Sequence, residues 1–438
     1  MKRFIVPVLI AVMVVSIILA GCVPGAAPET PPTAPPTAPP EAPPAAPPEV
    51  IKLGTINPYT GPCAPWGLPV LRGAEIWVEE INAAGGIEIG GQRYMFEQVG
   101  YDDICWVPAE ALKCVKKGVL EDGVRYFHST ATTAVVEAIA PFLLEHDCLL
   151  LTRSAGFGIR PEWPNVIGGF TCWPQYFGIA HQYMAERNPE IKRVAIVGPD
   201  ESYAPDELLW SRAGAKSVGW DIVYQELYPG DTVDYYPLVS AILATDPDVI
   251  NLMSSYVSAI PSILEAAKSL GYTGKWMASS IDMSLVVEKV PAEYAEGSVV
   301  CMPHPNNPAL VGEDIFELYS EFNRRWPGEW GSGEGTSGPN VYSLLVEGMK
   351  LADSVDPVAV REALLATDPI EHPYLGTAHW GGKEMYGANN FLMAPWYVGE
   401  VVEGKPTAME LIPFYDWYEA NKDVVLSEFE AAGHKTYR

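Results

Sequence analysis

The chain alternates short apolar segments with amphipathic segments from residue 50 to about residue 280, and this alternation constrains its fold more than any other feature. The apolar segments have the length and composition of strands, whereas the amphipathic segments repeat at the spacing of a helix. Elements that alternate strictly in this way form a parallel sheet covered by helices on both faces. We therefore expect an α/β fold.

The predicted elements fall into two series of similar size. The first series predicts strands at 50–55, 95–101, 124–127 and 148–152, with helices at 70–84, 108–122 and 133–146. The second predicts helices at 175–188, 206–217, 236–244 and 259–270, with strands at 193–197, 221–226, 249–253 and 275–278. Two series of this kind indicate two similar lobes.

A ligand cleft is expected where the two sheets face each other, because ligands of open α/β sheets lie beyond the carboxyl ends of the strands. The loops that follow the predicted strands are 57–68, 102–106, 129–133, 153–158, 200–203, 254–257 and 279–282.

The first 49 residues differ in composition from the rest of the chain. Lys2 and Arg3 precede an apolar run at 4–20, which Gly21 and Cys22 close. This is the pattern of a secretory signal that ends at a lipidated cysteine, so we expect residues 1–21 to be removed. The alternative is an uncleaved anchor in which Cys22 is an ordinary cysteine.

Residues 22–49 consist mostly of Pro, Ala and Thr. Such a segment forms an extended polyproline II spacer and no core. We therefore expect an extracytoplasmic protein, anchored to the cell membrane by lipid on Cys22 and held off the surface by this tether.

The charge of the chain excludes one class of partner. Asp and Glu number 55 against 28 Lys and Arg, which gives a net charge of −27. Nucleic-acid binders carry clustered basic residues, so no nucleic acid is expected. Anionic lipid is excluded for the same reason, and the membrane link depends on the N-terminal lipid alone.

Six cysteines remain after Cys22 is set aside, and they allow fifteen disulfide connectivities. None of their spacings is that of a zinc site, so no metal is expected. Cys148 lies in an apolar run and is expected to be a buried free thiol. The six are Cys63, Cys105, Cys114, Cys148, Cys172 and Cys301.

Three segments, 60–87, 101–119 and 195–216, together resemble the extracytoplasmic solute-binding proteins of branched-chain amino acid and amide ABC importers. The resemblance covers most of residues 50–300 and continues more loosely to the end. It implies a type I periplasmic binding protein, in which two Rossmann-like lobes are joined by hinge strands and close on a small molecule. It also implies a monomer without a cofactor, whose partners are importer permease subunits.

The resemblance places chain crossings near 172–174, 300–303 and 375–380. Residues 50–171 and 302–374 then form lobe 1, and residues 174–300 and 380–438 form lobe 2.

Several ligand positions of the family fall in lobe 1 of this chain. Trp66 matches an aromatic residue that walls the pocket. Thr133, next to Thr132, matches a hydroxyl residue that meets the ligand carboxylate at a helix start, where backbone N–H groups and the helix dipole favour an anion. The alternative role for Thr133 is simple N-capping. Ser154 matches a position that offers a backbone carbonyl, and Gly156 replaces a hydroxyl residue and keeps only its N–H.

The positions in lobe 2 match the family less well. Tyr203 and Tyr256 match aromatic residues of the pocket, although aromatic residues in loops also serve as core packing. The acid that pairs with a ligand ammonium becomes Ser280. Asp282 lies two positions later, either as a substitute acid or as an ordinary helix cap.

The missing acid suggests a ligand without an ammonium group, because a desolvated ammonium needs a fixed negative charge. Arg153 could bind a carboxylate through two parallel hydrogen bonds, or could merely pair with a surface acid. We therefore expect a carboxylate with an aromatic or branched body to bind better than leucine, although amino acids and amides stay possible ligands.

A disulfide between Cys63 and Cys105 is expected, because both lie in loops after the first two strands of such a sheet. The family's usual partner for the second position falls on Thr132, so Cys105 would be a substituted partner.

Enzyme signatures are weak in this chain. Residues 333–338 fit G-x-G-x-x-G, but no apolar strand leads into them, so we interpret them as a flexible loop and not as a cofactor site. Neither a nucleophile elbow nor a zinc-protease motif is present in the sequence. We expect a binding protein and not an enzyme; the alternatives are a sensor lipoprotein for a signalling partner and, less favoured, a secreted α/β hydrolase.

Overall fold

The structure, a computed structural model, describes residues 47–61, 63–154, 158–173, 175–330 and 333–437, and for residues 154 and 170–173 it describes the backbone only. The predictions for the signal, for Cys22 and for Gly156 lie outside these residues. None of the helices in the described ranges combines the length and hydrophobicity needed to cross a bilayer.

The strands, in chain order, are β1 (Glu49–Asn57), β2 (Ile87–Ile89), β3 (Gln92–Asp102), β4 (Tyr126–Ser129), β5 (Leu149–Ser154), β6 (Val166–Trp173), β7 (Arg193–Pro199), β8 (Asp221–Tyr228), β9 (Val249–Asn251), β10 (Lys275–Ala278), β11 (Val299–Val300), β12 (Ile370–His372), β13 (Gly376–Gly381), β14 (Phe391–Met393), β15 (Trp396–Val402) and β16 (Lys405–Ile412).

The helices, in chain order, are α1 (Ala64–Ala83), α2 (Pro108–Lys117), α3 (Thr133–Glu145), α4 (Tyr176–Arg187), α5 (Ala204–Ser217), α6 (Tyr236–Leu243), α7 (Ile260–Ser269), α8 (Met283–Val286), α9 (Pro308–Val311), α10 (Glu313–Arg325), α11 (Ser337–Ala352), α12 (Pro357–Ala366), α13 (Lys383–Tyr386) and α14 (Phe414–Ala431).

The described strands form two mostly parallel sheets, which confirms the predicted α/β fold with two Rossmann-like lobes. The first sheet has the order β12-β13-β14-β6-β5-β4-β1-β3-β2, and the second has the order β16-β15-β11-β10-β9-β7-β8. Most predicted elements of the two series lie within a few residues of their observed bounds, and β10 has the bounds that were predicted.

The register of the first sheet aligns the carboxyl ends of its central strands. Ile56 of β1 lies opposite Ser129 of β4, which in turn lies opposite Thr152 of β5. On the other side of β1, Asn57 lies opposite Asp102 of β3. The loops that follow these strands therefore start from one edge of the sheet.

The chain crosses between the sheets after β6, after β11 and again between β14 and β15. The predicted third crossing at 375–380 is therefore wrong, and residues 380–393 do not belong to lobe 2 as predicted. β14 pairs in parallel with β6 and in antiparallel orientation with β13, so the first sheet extends to Met393. Trp396 donates its indole N–H to the Cys301 carbonyl at 2.8 Å, which joins the second and third crossings.

Helix α1 places the first loop against the rest of lobe 1. It has a proline in its first turn, and its Val70, Ala74 and Ile76 side chains are fully buried. On the same helix, a Cβ atom added at Gly73 would lie 1.8 Å from the Gly335 carbonyl oxygen. The helix and the segment before α11 can approach this closely only because residue 73 is glycine.

Candidate ligand-binding site

A small cavity lies between the lobes at the carboxyl ends of the strands. Each of the seven predicted strand-end loops contributes at least one residue to its wall. Two further residues come from the start of α4 and from the segment before α11. The lining residues are Trp66, Trp106, Thr130, Thr132, Arg153, Tyr176, Tyr203, Ser254, Ser279 and Glu334.

The Cys63–Cys105 disulfide joins the first two loops, with the Cα atoms 5.3 Å apart. Trp66 and Trp106 follow these cysteines, and their ring centroids are 5.9 Å apart. Trp106 has a φ of 52°, in the left-handed region that is strained for a bulky residue. The disulfide therefore helps to hold two indole rings at the cavity wall.

Asp102 and Asp103 stabilise these loops by hydrogen bonds. Asp102 accepts the backbone N–H groups of Tyr59 and Ile104, both at 2.9 Å. Asp103 accepts the Trp106 N–H at 3.0 Å, and burial raises the pKa of the Asp103 carboxyl to about 7. Asp103 thus positions Trp106, and Asp102 joins the first loop to the second.

The loop after β4 brings hydroxyl groups to the cavity. The Thr130 hydroxyl donates to Asn57 Oδ1 at 2.5 Å. Thr132 is buried and lines the cavity at the N-terminus of α3, where the first N–H groups of the helix lack intrahelical partners. Thr133 does not line it: its hydroxyl donates to Asp206 of lobe 2 at 3.3 Å. Thr132, and not Thr133 as the resemblance implied, is the residue that reaches the cavity.

Arg153 at the end of β5 forms a buried ion pair with Glu334. The distance from Arg153 Nη2 to Glu334 Oε1 is 2.5 Å, and the two side chains are 7% and 3% exposed. Burial raises the pKa of the Glu334 carboxyl to about 7, although the Arg153 charge opposes the rise. The partner of Arg153 is thus a buried acid, and not the surface acid of the alternative prediction.

Glu334 also corrects the prediction of a flexible loop at 333–338. Residues Glu334–Thr336 form a single helical turn that leads directly into α11, and both Glu334 and Gly335 are buried. Nothing in the sequence placed this acid near Arg153, since 181 residues separate the two.

The wall of lobe 2 consists of hydroxyl groups and aromatic rings. The Tyr176 and Ser279 hydroxyls share a hydrogen bond of 2.8 Å. The Tyr203 hydroxyl donates to the Ser254 carbonyl at 3.1 Å, and the Ser254 N–H donates to Glu207 Oε2 at 3.0 Å. Lobe 2 thus presents a preformed hydrogen-bond network to the cavity.

The remaining candidates of lobe 2 lie beside the cavity and do not line it. The Tyr256 ring packs on Trp66 across the cleft, with centroids 5.7 Å apart. Ser280 is buried and does not line the cavity, whereas its neighbour Ser279 does. Asp282 caps α8 by accepting the Ser284 N–H at 2.9 Å, so it is the ordinary helix cap considered above.

Sequence reasoning did not single out six of the lining residues. Four of them lie in the predicted strand-end loops, so their positions were predicted although the residues were not. Glu334 and Tyr176 had no such signal, because neither follows a strand that was predicted; Tyr176 follows β6, which the sequence analysis did not predict. The six are Trp106, Thr130, Tyr176, Ser254, Ser279 and Glu334.

Four lining residues carry a buried polar atom without a hydrogen-bond partner among the described residues. These atoms are Arg153 Nε, Trp106 Nε1, Thr132 Oγ1 and Glu334 Oε2. A buried polar group without a partner costs about 1–3 kcal/mol. A bound molecule that offers acceptors to the first three and a donor to Glu334 would recover this cost.

The lobes are in contact around the cavity. Its volume is about 30 Å³, and a single water needs roughly 10–15 Å³. It therefore has room for about two waters.

Comparison with known proteins decides the family. A sequence model described as a periplasmic binding protein matches residues 50–406. The chain belongs to the periplasmic binding protein family. Similar structures confirm the predicted type I fold.

This periplasmic binding protein is similar to the leucine-, isoleucine-, valine-, threonine- and alanine-binding protein of Pseudomonas aeruginosa. The two are 24% identical over 359 residues, which are 78% of this chain and 88% of that protein.

Two solved structures share the fold. A leucine-binding protein from Thermotoga maritima has a TM-score of 0.67 and 19% identity, and the match covers 84% of this chain and 99% of that one. A solute-binding protein of an ABC transporter from Rhodopseudomonas palustris HaA2, in complex with p-hydroxybenzoic acid, has a TM-score of 0.65 and 17% identity, with 84% and 98% covered. At these identities the likeness concerns the fold.

Proposed function

We propose that the protein is the solute-binding component of an ABC importer and that it closes on a small carboxylate between its lobes. The observation that supports this most is the set of unpaired buried polar atoms in the cavity wall, among them Arg153 Nε. A guanidinium matches a carboxylate in shape and charge. The Thr132 hydroxyl and the N-terminus of α3 add further favourable groups for an anion.

Four aromatic residues in the cavity wall favour a ligand with an apolar body. They are Trp66, Trp106, Tyr176 and Tyr203. Leucine and p-hydroxybenzoic acid, which appear in the names of the similar structures, both combine such a body with a carboxylate. We propose a ligand of this kind, an amino acid or an aromatic acid.

Closure of the two lobes is the proposed mechanism. The ligand contacts residues of both lobes and therefore binds the closed state better than the open one, which shifts the population toward closure. The Trp66–Tyr256 and Thr133–Asp206 contacts across the cleft stabilise the closed state without taking part in the cavity wall.

A screen of amino acids, amides and aromatic acids by thermal shift tests the ligand class. A ligand at 100 times its Kd should add about 2.7 kcal/mol to the free energy of unfolding. Small-angle X-ray scattering should show a smaller radius of gyration when such a ligand is added. If no carboxylate stabilises the protein, the proposal is wrong.

A double variant tests whether the ion pair forms the binding site. Arg153→Met with Glu334→Leu removes both charges together, because removing one would leave the other buried and unpaired. We expect a folded protein that no longer binds carboxylates. The exposed pair Arg187 and Glu410, replaced in the same way, is the matched control and should bind normally.

We further propose an extracytoplasmic location with lipid on Cys22. Mass spectrometry of the mature N-terminus should find a lipidated cysteine, and Cys22→Ser should release the protein from membranes. An importer reconstituted with its permease and ATPase subunits should hydrolyse ATP faster with the liganded protein. The absence of stimulation would favour the sensor alternative.

A further inference from the structure

Glu334 is held rigidly at the cavity by the glycines on either side of it. A Cβ atom at Gly333 would lie 2.5 Å from the Met302 carbonyl oxygen, and one at Gly73 would lie 1.8 Å from that of Gly335. The segment is therefore wedged between α1 and the second chain crossing. The position of the Glu334 carboxylate therefore depends on this backbone packing and not only on its contact with Arg153.

The ion pair uses only some of the hydrogen-bonding atoms of the Arg153 and Glu334 side chains. Arg153 gives one donor to Glu334 Oε1 and one to the Met302 sulfur at 3.1 Å. Its Nε and the second Glu334 oxygen have no partner among the described residues. Each charge can therefore bind a ligand group while the pair stays formed.

We propose that Glu334 determines the charge class of the ligand. When it is ionised, the pocket prefers a ligand with a carboxylate for Arg153 and an ammonium for Glu334 Oε2. A ligand with a carboxylate alone binds only when Glu334 takes up a proton. This inference rests on the proposed function and replaces the expectation, based on Ser280, that the site has no acid for an ammonium.

The pH dependence of binding follows from the sign of the charges. Burial already raises the pKa of Glu334 to about 7, and a second anion at Arg153 would raise it further. Binding of a lone carboxylate therefore takes up a proton, and its affinity falls about tenfold per pH unit above the pKa of the free site. An ammonium favours ionised Glu334, so the affinity of an amino acid should not fall in this range.

Three titratable groups of the cavity and its surroundings keep their charge between pH 6 and 8, namely the Tyr176 and Tyr203 hydroxyls and His128. Burial raises the pKa values of the Tyr176 and Tyr203 hydroxyls and lowers that of His128 to about 4. Burial also raises the pKa of Asp103, behind Trp106, to about 7, so this group needs a control.

Charged residues on the elements around the segment have partners of their own. On the outer side of α1 and α10, Arg72 pairs with Glu329, and Arg325 pairs with Glu79. Burial raises the pKa of Glu75 overall, although the charges of both arginines lower it. In lobe 2, Glu207 accepts the Ser254 N–H. Arg153 is the charged group that acts on the pKa of Glu334.

Calorimetry with benzoate and with leucine at pH 6, 7 and 8 tests the inference. In the wild type, benzoate affinity should fall about fivefold from pH 7 to pH 8, because Glu334 is already half ionised at its pKa of about 7, and leucine affinity should not fall. Glu334→Gln should abolish the pH dependence for benzoate and weaken leucine about tenfold or more. Asp103→Asn removes the other carboxyl of raised pKa: the fall in benzoate affinity from pH 7 to pH 8 should persist in this variant, whatever its affinity at a single pH.

Proton uptake can be measured on the wild type alone, should Glu334→Gln fail to fold. The heats of titrations in phosphate and in Tris at pH 7.5 should differ by the buffer ionisation enthalpy of about three quarters of a proton taken up per benzoate, and of about one quarter of a proton released per leucine. Binding with the same pH profile in wild type and Glu334→Gln, or without proton uptake, would overturn this inference and leave the proposed function standing. If neither probe binds, the proposed function fails and this inference fails with it.

Discussion

Thr133 of lobe 1 donates a hydrogen bond across the cleft to Asp206 of lobe 2, with Oγ1 and Oδ2 3.3 Å apart. Its neighbour Thr132 lines the cavity and leaves its hydroxyl unpaired among the described residues. Two adjacent threonines thus have different surroundings: one joins the lobes, and the other is available to a ligand.

This difference gives a matched pair of variants. Thr132→Val should weaken carboxylate binding by about 1.5–3 kcal/mol, because it removes a hydrogen bond to a charged group. Thr133→Val should cost less than Thr132→Val, because its hydrogen bond to Asp206 is long at 3.3 Å and only partly buried, and it acts on binding only through closure. Calorimetry with the best ligand of the screen measures both. If Thr133→Val loses more affinity than Thr132→Val, then Thr133 and not Thr132 contacts the ligand.

The disulfide should contribute to both stability and binding. A Cys63→Ser, Cys105→Ser double variant should lose about 2–4 kcal/mol of unfolding free energy, since the bond closes a long loop. It should also weaken ligand binding, because Trp66 and Trp106 follow the two cysteines. Urea unfolding and calorimetry measure the two effects.

Cys114, which is free and half-buried, provides the control: Cys114→Ser should cost less than the double variant. Peptide mapping without reduction should recover the Cys63–Cys105 bond. Two free thiols at these positions would refute its presence.

Gly73→Ala should destabilise the protein although it lies in a helix. Alanine in a helix interior is normally favoured over glycine by about 1 kcal/mol. Here its Cβ would lie 1.8 Å from the Gly335 carbonyl oxygen, which is backbone and cannot turn away. We expect a loss of about 1–3 kcal/mol, as for other overpacked sites, and weaker ligand binding as Glu334 shifts. A gain in melting temperature would show that the segment before α11 moves freely.

Buried histidines should make the protein less stable in acid. Burial lowers the pKa values of His128, His181 and His372 to about 4. The unfolded chain therefore binds more protons than the folded one between about pH 4 and pH 6.5, and stability falls as the pH falls through this window. The raised pKa values of Asp103 and Glu334 act in the opposite direction, so a single substitution is the clearer test.

In His181→Asn the slope of unfolding free energy against pH between pH 4.5 and 6 should be smaller by about 1.4 kcal/mol per pH unit. Urea titrations at several pH values measure it. His379→Asn, at a half-exposed position, is the control. Equal slopes in wild type and His181→Asn would mean that His181 titrates alike in both states.

The sequence was sufficient to predict the elements with strong periodicity and the edge of the sheets where the cavity lies. β10, Lys275–Ala278, was predicted with its observed bounds, because it is a compact apolar run. The third crossing was misplaced because β13 and β14 are short and enter the first sheet in mixed orientation, which no local pattern indicates.

The chemistry of the site was harder to predict than its place. Arg153 could be proposed from its loop, but its partner Glu334 is 181 residues away and is joined to it only by the tertiary fold. Likewise, Thr132 and Thr133 differ in role only through the direction of their side chains at the start of α3. Such directions depend on packing and not on local sequence.

The order of strands implies that the two walls of the site would move by different amounts during closure. Arg153 lies on β5, next to the crossing strand β6, whereas Trp106 follows β3, four strands from β6. At about 4.8 Å per strand, β5 and β3 lie roughly 5 Å and 19 Å from β6. In a rotation about the crossing at β6, the strand that carries the guanidinium therefore moves least, and the strand that leads to the indole ring moves most.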